Sequence, residues 1–310
     1  MNIDHHLDKI SQFKNLELLA HQIVEGFLSG KHKSPFHGFS AEFAEHKIYN
    51  TGESTKFIDW KLFAKTDRLY TKKYEDETNL RCHFIIDNSS SMHYPTLPEN
   101  EPFYKTKIGF SVLATAVLMN LLKKQRDAVG LSIFSNTYEH YFAEKGSDRH
   151  HRTLLNRLET LINKPQEPQK TTDTTTFLHQ IAENIHRRSM IVLFTDMFQQ
   201  EDNSKLFKAL QHLKHNKHKV VLFHTYDYTT EFSFDFDHKP RKFMDVETGE
   251  EINLYADQIK ETYQNSIKKY FDLVKLNCMQ YNIAYYPTNI SDSFENLLMR
   301  FLTEKQSFKN

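Results

Sequence analysis

Cysteine is nearly missing from this chain. Only Cys82 and Cys278 occur in 310 residues. Two thiols cannot build a disulfide framework, which suits a reducing compartment. Cys82 lies in an apolar stretch and reads as a buried, inert thiol. Glycine is also scarce, at 8 residues, which argues against repetitive or low-complexity architecture. An excess of either charge is missing too: 40 Lys and Arg balance 40 Asp and Glu. No strong field therefore favours nucleic acid or an anionic membrane. The opening Met1-Asn2-Ile3-Asp4-His5-His6 lacks the basic-then-apolar order of a secretory leader. The longest nearly apolar run, Val112 to Leu122, is far short of the roughly twenty residues that span a bilayer. The expectation is a soluble cytoplasmic protein without membrane insertion or nucleic-acid binding.

Several catalytic signatures are absent as well. There is no G-x-x-x-x-G-K loop, no dinucleotide glycine fingerprint, no H-E-x-x-H or C-x-x-C spacing and no G-x-S-x-G. The 18 histidines, including the pairs His5-His6 and His150-His151, read as solvated surface residues. The basic pairs Lys72-Lys73 and Lys123-Lys124 read as solvated faces. The single tryptophan, Trp60, reads as a core anchor.

What is present is aromatic and periodic. With 25 Phe and 15 Tyr, the chain is that of an ordered globular protein. Leu7, Ile10, Phe13, Leu16, Leu19, Ile23 and Phe27 recur at helical spacing, so residues 1–30 carry an amphipathic helix. Residues 31–79 are irregular, with turn signals at Gly38 and Thr51-Gly52-Glu53 and a weak strand near 69–74.

From Leu80 a regular alternation begins. Strands are expected at 80–86, 131–134, 190–194, 220–223 and 283–286, with an antiparallel edge strand at 138–143. Helices are expected at 104–124, 151–163, 177–187, 203–214, 256–280 and 291–303. Apolar strands alternating with amphipathic helices imply an α/β fold, with a doubly wound, mostly parallel sheet over 80–227 and 256–305. Residues 228–255 interrupt it with a hairpin signal at Thr248-Gly249-Glu250 and the alternating Phe232, Phe234 and Phe236. This insertion and 31–79 are expected to form a small β-rich appendage.

The chemistry concentrates in Asp87-Asn88-Ser89-Ser90-Ser91, which closes the apolar run Phe84-Ile85-Ile86. A carboxylate and two hydroxyls in one loop are hard oxygen donors, suited to Mg²⁺, Mn²⁺ or Ca²⁺. In a doubly wound sheet, ligands collect beyond the carboxyl ends of the strands. Two further polar loops reach that location: Thr171 to Thr176 before a helix, and Asp196 after the strand 190–194. Each alone could be a turn or a helix cap. Together they suggest a site of two carboxylates and several hydroxyls.

D-x-S-x-S, a threonine opening a later helix and an aspartate after a later strand resemble the metal-ion-dependent adhesion site of von Willebrand factor type A domains. The wider chain resembles domain-of-unknown-function family fifty-eight through Gly38-Phe39-Ser40, Glu42-Phe43, Ile58-Asp59-Trp60-Lys61, Ala64-Lys65-Thr66-Asp67 and Glu77-Thr78-Asn79. Asp127 with Val129-Gly130, and the spaced Phe243, Asp245 and Glu247, add to it. The resemblance implies a Rossmann-like domain whose metal is held by Asp87, Ser89, Ser91, Thr175 and Asp196. The family usually has glycine before that threonine, whereas Asp173-Thr174 stands here, so Thr174 or Thr176 could take the role and Asp173 could add a carboxylate.

The resemblance also implies a non-enzymatic adaptor or chaperone-like partner of a MoxR-type AAA+ ATPase, or a binder of that ATPase's client. A Mg²⁺ (or Mn²⁺ or Ca²⁺) ion would be completed by a partner carboxylate. The rival reading is a metal-dependent phosphohydrolase or nuclease, which would want more carboxylates and a general base.

Overall fold

The computed structural model describes residues 15–29, 45–49, 58–73, 80–98, 101–135, 138–163, 174–197, 203–215, 217–236, 239–244, 249 and 251–309. The chain divides into two compact units, Glu25–Asn79 and the remainder.

Helix α1 (Leu16–Ser29) buries Leu16, Leu19, Ala20, Ile23, Val24 and Phe27, the stripe its spacing required. Leu7, Ile10 and Phe13 lie outside the described residues. In the smaller unit, β1 (Glu45–Ile48) pairs antiparallel with β2 (Tyr70–Lys73). Between them runs the two-turn helix α2 (Trp60–Thr66). Asp59 caps it: its Oδ1 accepts from the amides of Lys61 and Leu62 at 3.0 and 3.1 Å. Trp60 is not the core anchor expected. It is 61% exposed, because it is the first residue of a short helix with no buried residue, and its ring meets the edge of Phe63 at 6.2 Å.

In the larger unit the chain runs β3 (Arg81–Asp87), α3 (Lys107–Lys124), β4 (Ala128–Phe134), β5 (Tyr138–Lys145), α4 (Asp148–Asn163) and α5 (Thr174–Asn184). It continues through β6 (Met190–Thr195), α6 (Asn203–His215) and β7 (Lys219–Tyr226). The hairpin β8 (Pro240–Met244) and β9 (Glu251–Tyr255) follows, then α7 (Ala256–Gln280), β10 (Ala284–Asn289) and α8 (Phe294–Lys309). The main sheet has the order β10-β7-β6-β3-β4-β5, parallel except for β5. This is the expected doubly wound sheet with an antiparallel edge strand.

The apolar runs form central strands because both faces are covered. One face of the sheet, including Ile85, Ile191, Leu193, Val220 and Leu222, packs against Phe177 and Ile181 of α5, Leu210 of α6 and Val274 of α7. Among the remaining helices, Phe110 of α3 stacks on Phe294 of α8 at 5.0 Å. The amide of Leu16 reaches Glu159 of α4 at 3.3 Å. Cys82 is buried and free, as expected, and Cys278 is buried and free as well. At one sheet edge, β10 carries Pro287, whose carbonyl accepts from Arg300 Nη1 at 3.2 Å. At the other, β5 pairs with β4 through two register shifts.

Polar residues inside the sheet are paired. His83 Nδ1 meets Glu144 Oε1 at 2.7 Å, and its Nε2 meets Ser132 Oγ at 2.7 Å. The order is that of an acyl-transfer triad. His83 and Ser132 are completely buried, however, so the chain of bonds ties β3, β4 and β5 in register. Gly130 makes room for it: a Cβ there would lie 2.5 Å from His83 Nδ1 and 2.8 Å from the Phe142 carbonyl.

Two other expectations need correction. His83, His151, His218 and His224 are buried, not solvated. His83 and His224 lie in covered strands, His151 is on the buried side of α4, and His218 precedes β7 with its Nδ1 accepting from the Ser189 amide. The alternation Phe232, Phe234, Phe236 is not a strand. Tyr228–Phe232 is a π-helical turn, after which Phe234 and Phe236 fold onto Phe243 of β8 at 5.5 and 5.2 Å. Aromatic clustering, not pleating, sets that spacing.

Candidate functional site

β3 and β6 lie side by side, and the connections that leave them run in opposite directions, to β4 and to β7. Their carboxyl ends therefore flank a topological switch point. Asp87 is the last residue of β3, and Asp196 follows the last residue of β6.

The Asp87 loop is held in shape by its own backbone. Asp87 Oδ1 accepts from the Ser89 amide at 2.9 Å, an Asx turn. The Asn88 amide donates to the Phe134 carbonyl at 2.7 Å, tying the loop to β4. A short 3₁₀ turn at Ser91–His93 then brings Ser91 back beside Ser89, with the two Oγ atoms 3.1 Å apart. An octahedral ion with oxygens at about 2.1 Å holds adjacent ligands about 3.0 Å apart. The two hydroxyls are thus spaced as neighbouring ligands would be, and the donor set fits a hard dication.

Asp87 Oδ2 accepts from Thr195 Oγ1 at 2.7 Å, which joins the two strand ends directly. Thr195 Oγ1 in turn accepts from the Met197 amide at 3.0 Å. Asp87 and Asp196 are only 2% and 3% exposed. Burial, and then the charge of Asp196, push the Asp87 carboxyl up to about 7.

The threonine loop is represented by its helix alone. α5 starts at Thr174, with Thr175 second. Phe177, in its first turn, stacks on Phe134 at 4.5 Å, and Phe134 ends β4. The start of α5 is therefore at the carboxyl rim of the sheet. The side chains of Thr174, Thr175 and Thr176 and all of Asp173 lie outside the described residues.

Sequence reasoning missed two charged residues. Lys107 is 1% exposed, and its Nζ donates to Asp196 Oδ2 at 2.8 Å and to Glu231 Oε1 at 2.5 Å. Glu231 sits in the π-helical turn, where its Oε2 accepts from the Asp227 amide at 2.7 Å. Tyr263 of α7 donates to the Glu231 carbonyl at 2.8 Å. Burial pushes the Lys107 ammonium toward losing its proton, but Asp196 and Glu231 outweigh it and its pKa rises. Burial raises that of Glu231. Nearby, burial lowers the His224 imidazole to about 4, so it is neutral at neutral pH.

A signal for Lys107 was present. It is the first residue of α3, whose first turn holds no acid, and a cation there opposes the helix dipole. Such a placement calls for a compensating carboxylate. Among the described residues no group of three or more His, Cys, Asp or Glu gathers at one point suited to a metal ion. The candidate centre is two carboxylates with hydroxyls, next to one buried ammonium.

Comparison with known proteins shows what the chain is similar to. Uncharacterized proteins of Mycobacterium bovis and Mycobacterium tuberculosis are 23% identical to it over 184 residues, 59% of this chain and 55% of theirs. The chain thus spans about half the length of the curated relatives it matches. BatB from Bacteroides thetaiotaomicron is similar in structure with a TM-score of 0.45 and 9% identity, over 74% of this chain and 98% of that one. The SpRpn10 VWA domain is similar with a TM-score of 0.39 and 15% identity, over 72% and 94%. No helix among the described residues is long and apolar enough to cross a membrane. A family model matches residues 45–270, and the chain belongs to that family, Protein of unknown function DUF58.

Proposed function

We propose that this protein is a protein-interaction module that captures its partner through a divalent cation held at the rim of the sheet. Mg²⁺ is the expected ion, with Mn²⁺ or Ca²⁺ as substitutes. Asp87, Ser89, Ser91 and Asp196 hold it, with a threonine at the start of α5, Thr175 by position. Two carboxylates leave the ion electrophilic and open to an acidic residue of a partner. The partner is a MoxR-type AAA+ ATPase or that ATPase's client, as the family resemblance implies, and the protein acts as an adaptor rather than an enzyme.

One observation carries this reading. Asp87 ends β3 and Asp196 directly follows the adjacent β6 at the switch point, and two hydroxyls of the Asp87 loop lie at the spacing of neighbouring ligands.

Mn²⁺ bound to the purified chain tests it. The ion should enhance water-proton relaxation, because it keeps exchangeable water, and lose that enhancement when a purified MoxR-type ATPase is added. Asp87→Ala should abolish both effects while circular dichroism stays unchanged. ATPase capture that persists in chelator would refute the reading.

A further inference from the structure

We infer that Lys107 is a tethered cation that sets the charge of this site and competes with the dication for Asp196. The inference rests on the metal reading above and deepens it. The ammonium is buried, fixed at the start of α3, and donates to both Asp196 and Glu231. Two carboxylates, Asp196 and Glu231, face it directly, and Asp196 is in turn within electrostatic reach of a third, Asp87. With all of them ionised, three negative charges and one positive leave two negative charges. That balance matches one divalent ion.

The residues that hold the arrangement are hydrogen-bonded in turn. Thr106 caps α3 by accepting from the Gly109 amide at 3.0 Å. The Lys107 amide donates to the Tyr94 carbonyl at 2.9 Å, in the segment that follows the Asp87 loop. Glu231 is fixed by the Asp227 amide and by Tyr263. A lysine so placed does two things. In the metal-free protein it neutralises Asp196, which would otherwise be a buried and unbalanced charge. In the presence of a dication it opposes binding, so that the site takes a single ion and exchanges it.

The test is Mn²⁺ binding at pH 8, read by electron paramagnetic resonance, together with thermal unfolding in chelator and in Mg²⁺. Lys107→Met keeps an unbranched stem, one atom shorter, and removes its charge. It should bind Mn²⁺ at least tenfold more tightly than the unaltered protein. Its melting temperature should fall in chelator and recover in Mg²⁺. Lys107→Met combined with Glu231→Gln restores two net negative charges and should return the affinity to within about threefold of the starting value. Glu231→Gln alone leaves one net negative charge and should weaken Mn²⁺ by threefold or more, and it decides the matter if Lys107→Met fails to fold.

Equal affinity in the Lys107→Met and unaltered proteins overturns the inference and leaves the proposed function standing. Binding by Lys107→Met alone supports the inference and removes the proposed function. Binding by neither protein removes both.

Discussion

Replacing Asp87 by asparagine should make the metal-free protein more stable at pH 8 and unable to respond to Mg²⁺. Asp87 is buried beside Asp196, and its carboxyl is raised to about 7. An unfolded aspartate titrates near 3.9. Between those values the folded protein holds the proton more tightly, so stability falls as pH rises. The contribution of the neutral acid is complete below about pH 4 and is gone above about pH 7. From pH 5 to pH 8, two units of that window are crossed, which costs about 3 kcal/mol.

Asparagine carries no such cost. It keeps the acceptor for the Ser89 amide, while the Thr195 hydroxyl must reverse its role, at about 1 kcal/mol. The assay is urea unfolding in chelator at pH 5 and pH 8, comparing the stability difference between variant and unaltered protein at the two values. That difference should move by about 3 kcal/mol in favour of Asp87→Asn. A difference that stays the same at both pH values would refute the account of Asp87 as a strained buried acid.

Two other substitutions probe the scaffold. Gly130→Ala forces a methyl against His83 and the Phe142 carbonyl and should cost about 3 kcal/mol, measured by denaturant unfolding. His151 is buried with Nε2 unpartnered, and burial lowers its imidazole to about 4. Its neutral form stabilises the fold above pH 6.5, and that contribution fades as pH drops toward 4. His151→Leu should accordingly flatten the acid limb of thermal stability by about 2 kcal/mol between pH 6.5 and 4.5, read from melting curves across that range.

Much of the architecture was legible because it depends on local pattern. The run Met190-Ile191-Val192-Leu193-Phe194 permits only a strand covered on both sides, and it forms one. The helix expected over 256–280 spans those residues, because its apolar spacing runs unbroken between a hairpin and the Tyr281-Asn282 turn. The two acids were findable because Asp87 directly follows such a run and Asp196 follows one after a single threonine.

The rest depends on partners distant in sequence. Lys107 and Glu231 are 124 residues apart and meet only after the sheet is wound. His83 and Ser132 look like polar interruptions of strands until β3 and β4 are laid side by side, where each satisfies the other. Trp60 fails for the opposite reason: hydrophobicity predicts burial only where a neighbouring layer exists to cover the ring.

The outer strand β10 bears on whether the sheet can be extended by another chain. Proline offers no hydrogen for a new ladder, and Arg300 already occupies the carbonyl of Pro287. A peptide seeking to extend the sheet there would find one rung missing and another taken. Extension of the sheet is disfavoured on that flank, which leaves the loops that carry Asp87 and Asp196 as the place where the proposed partner would be met.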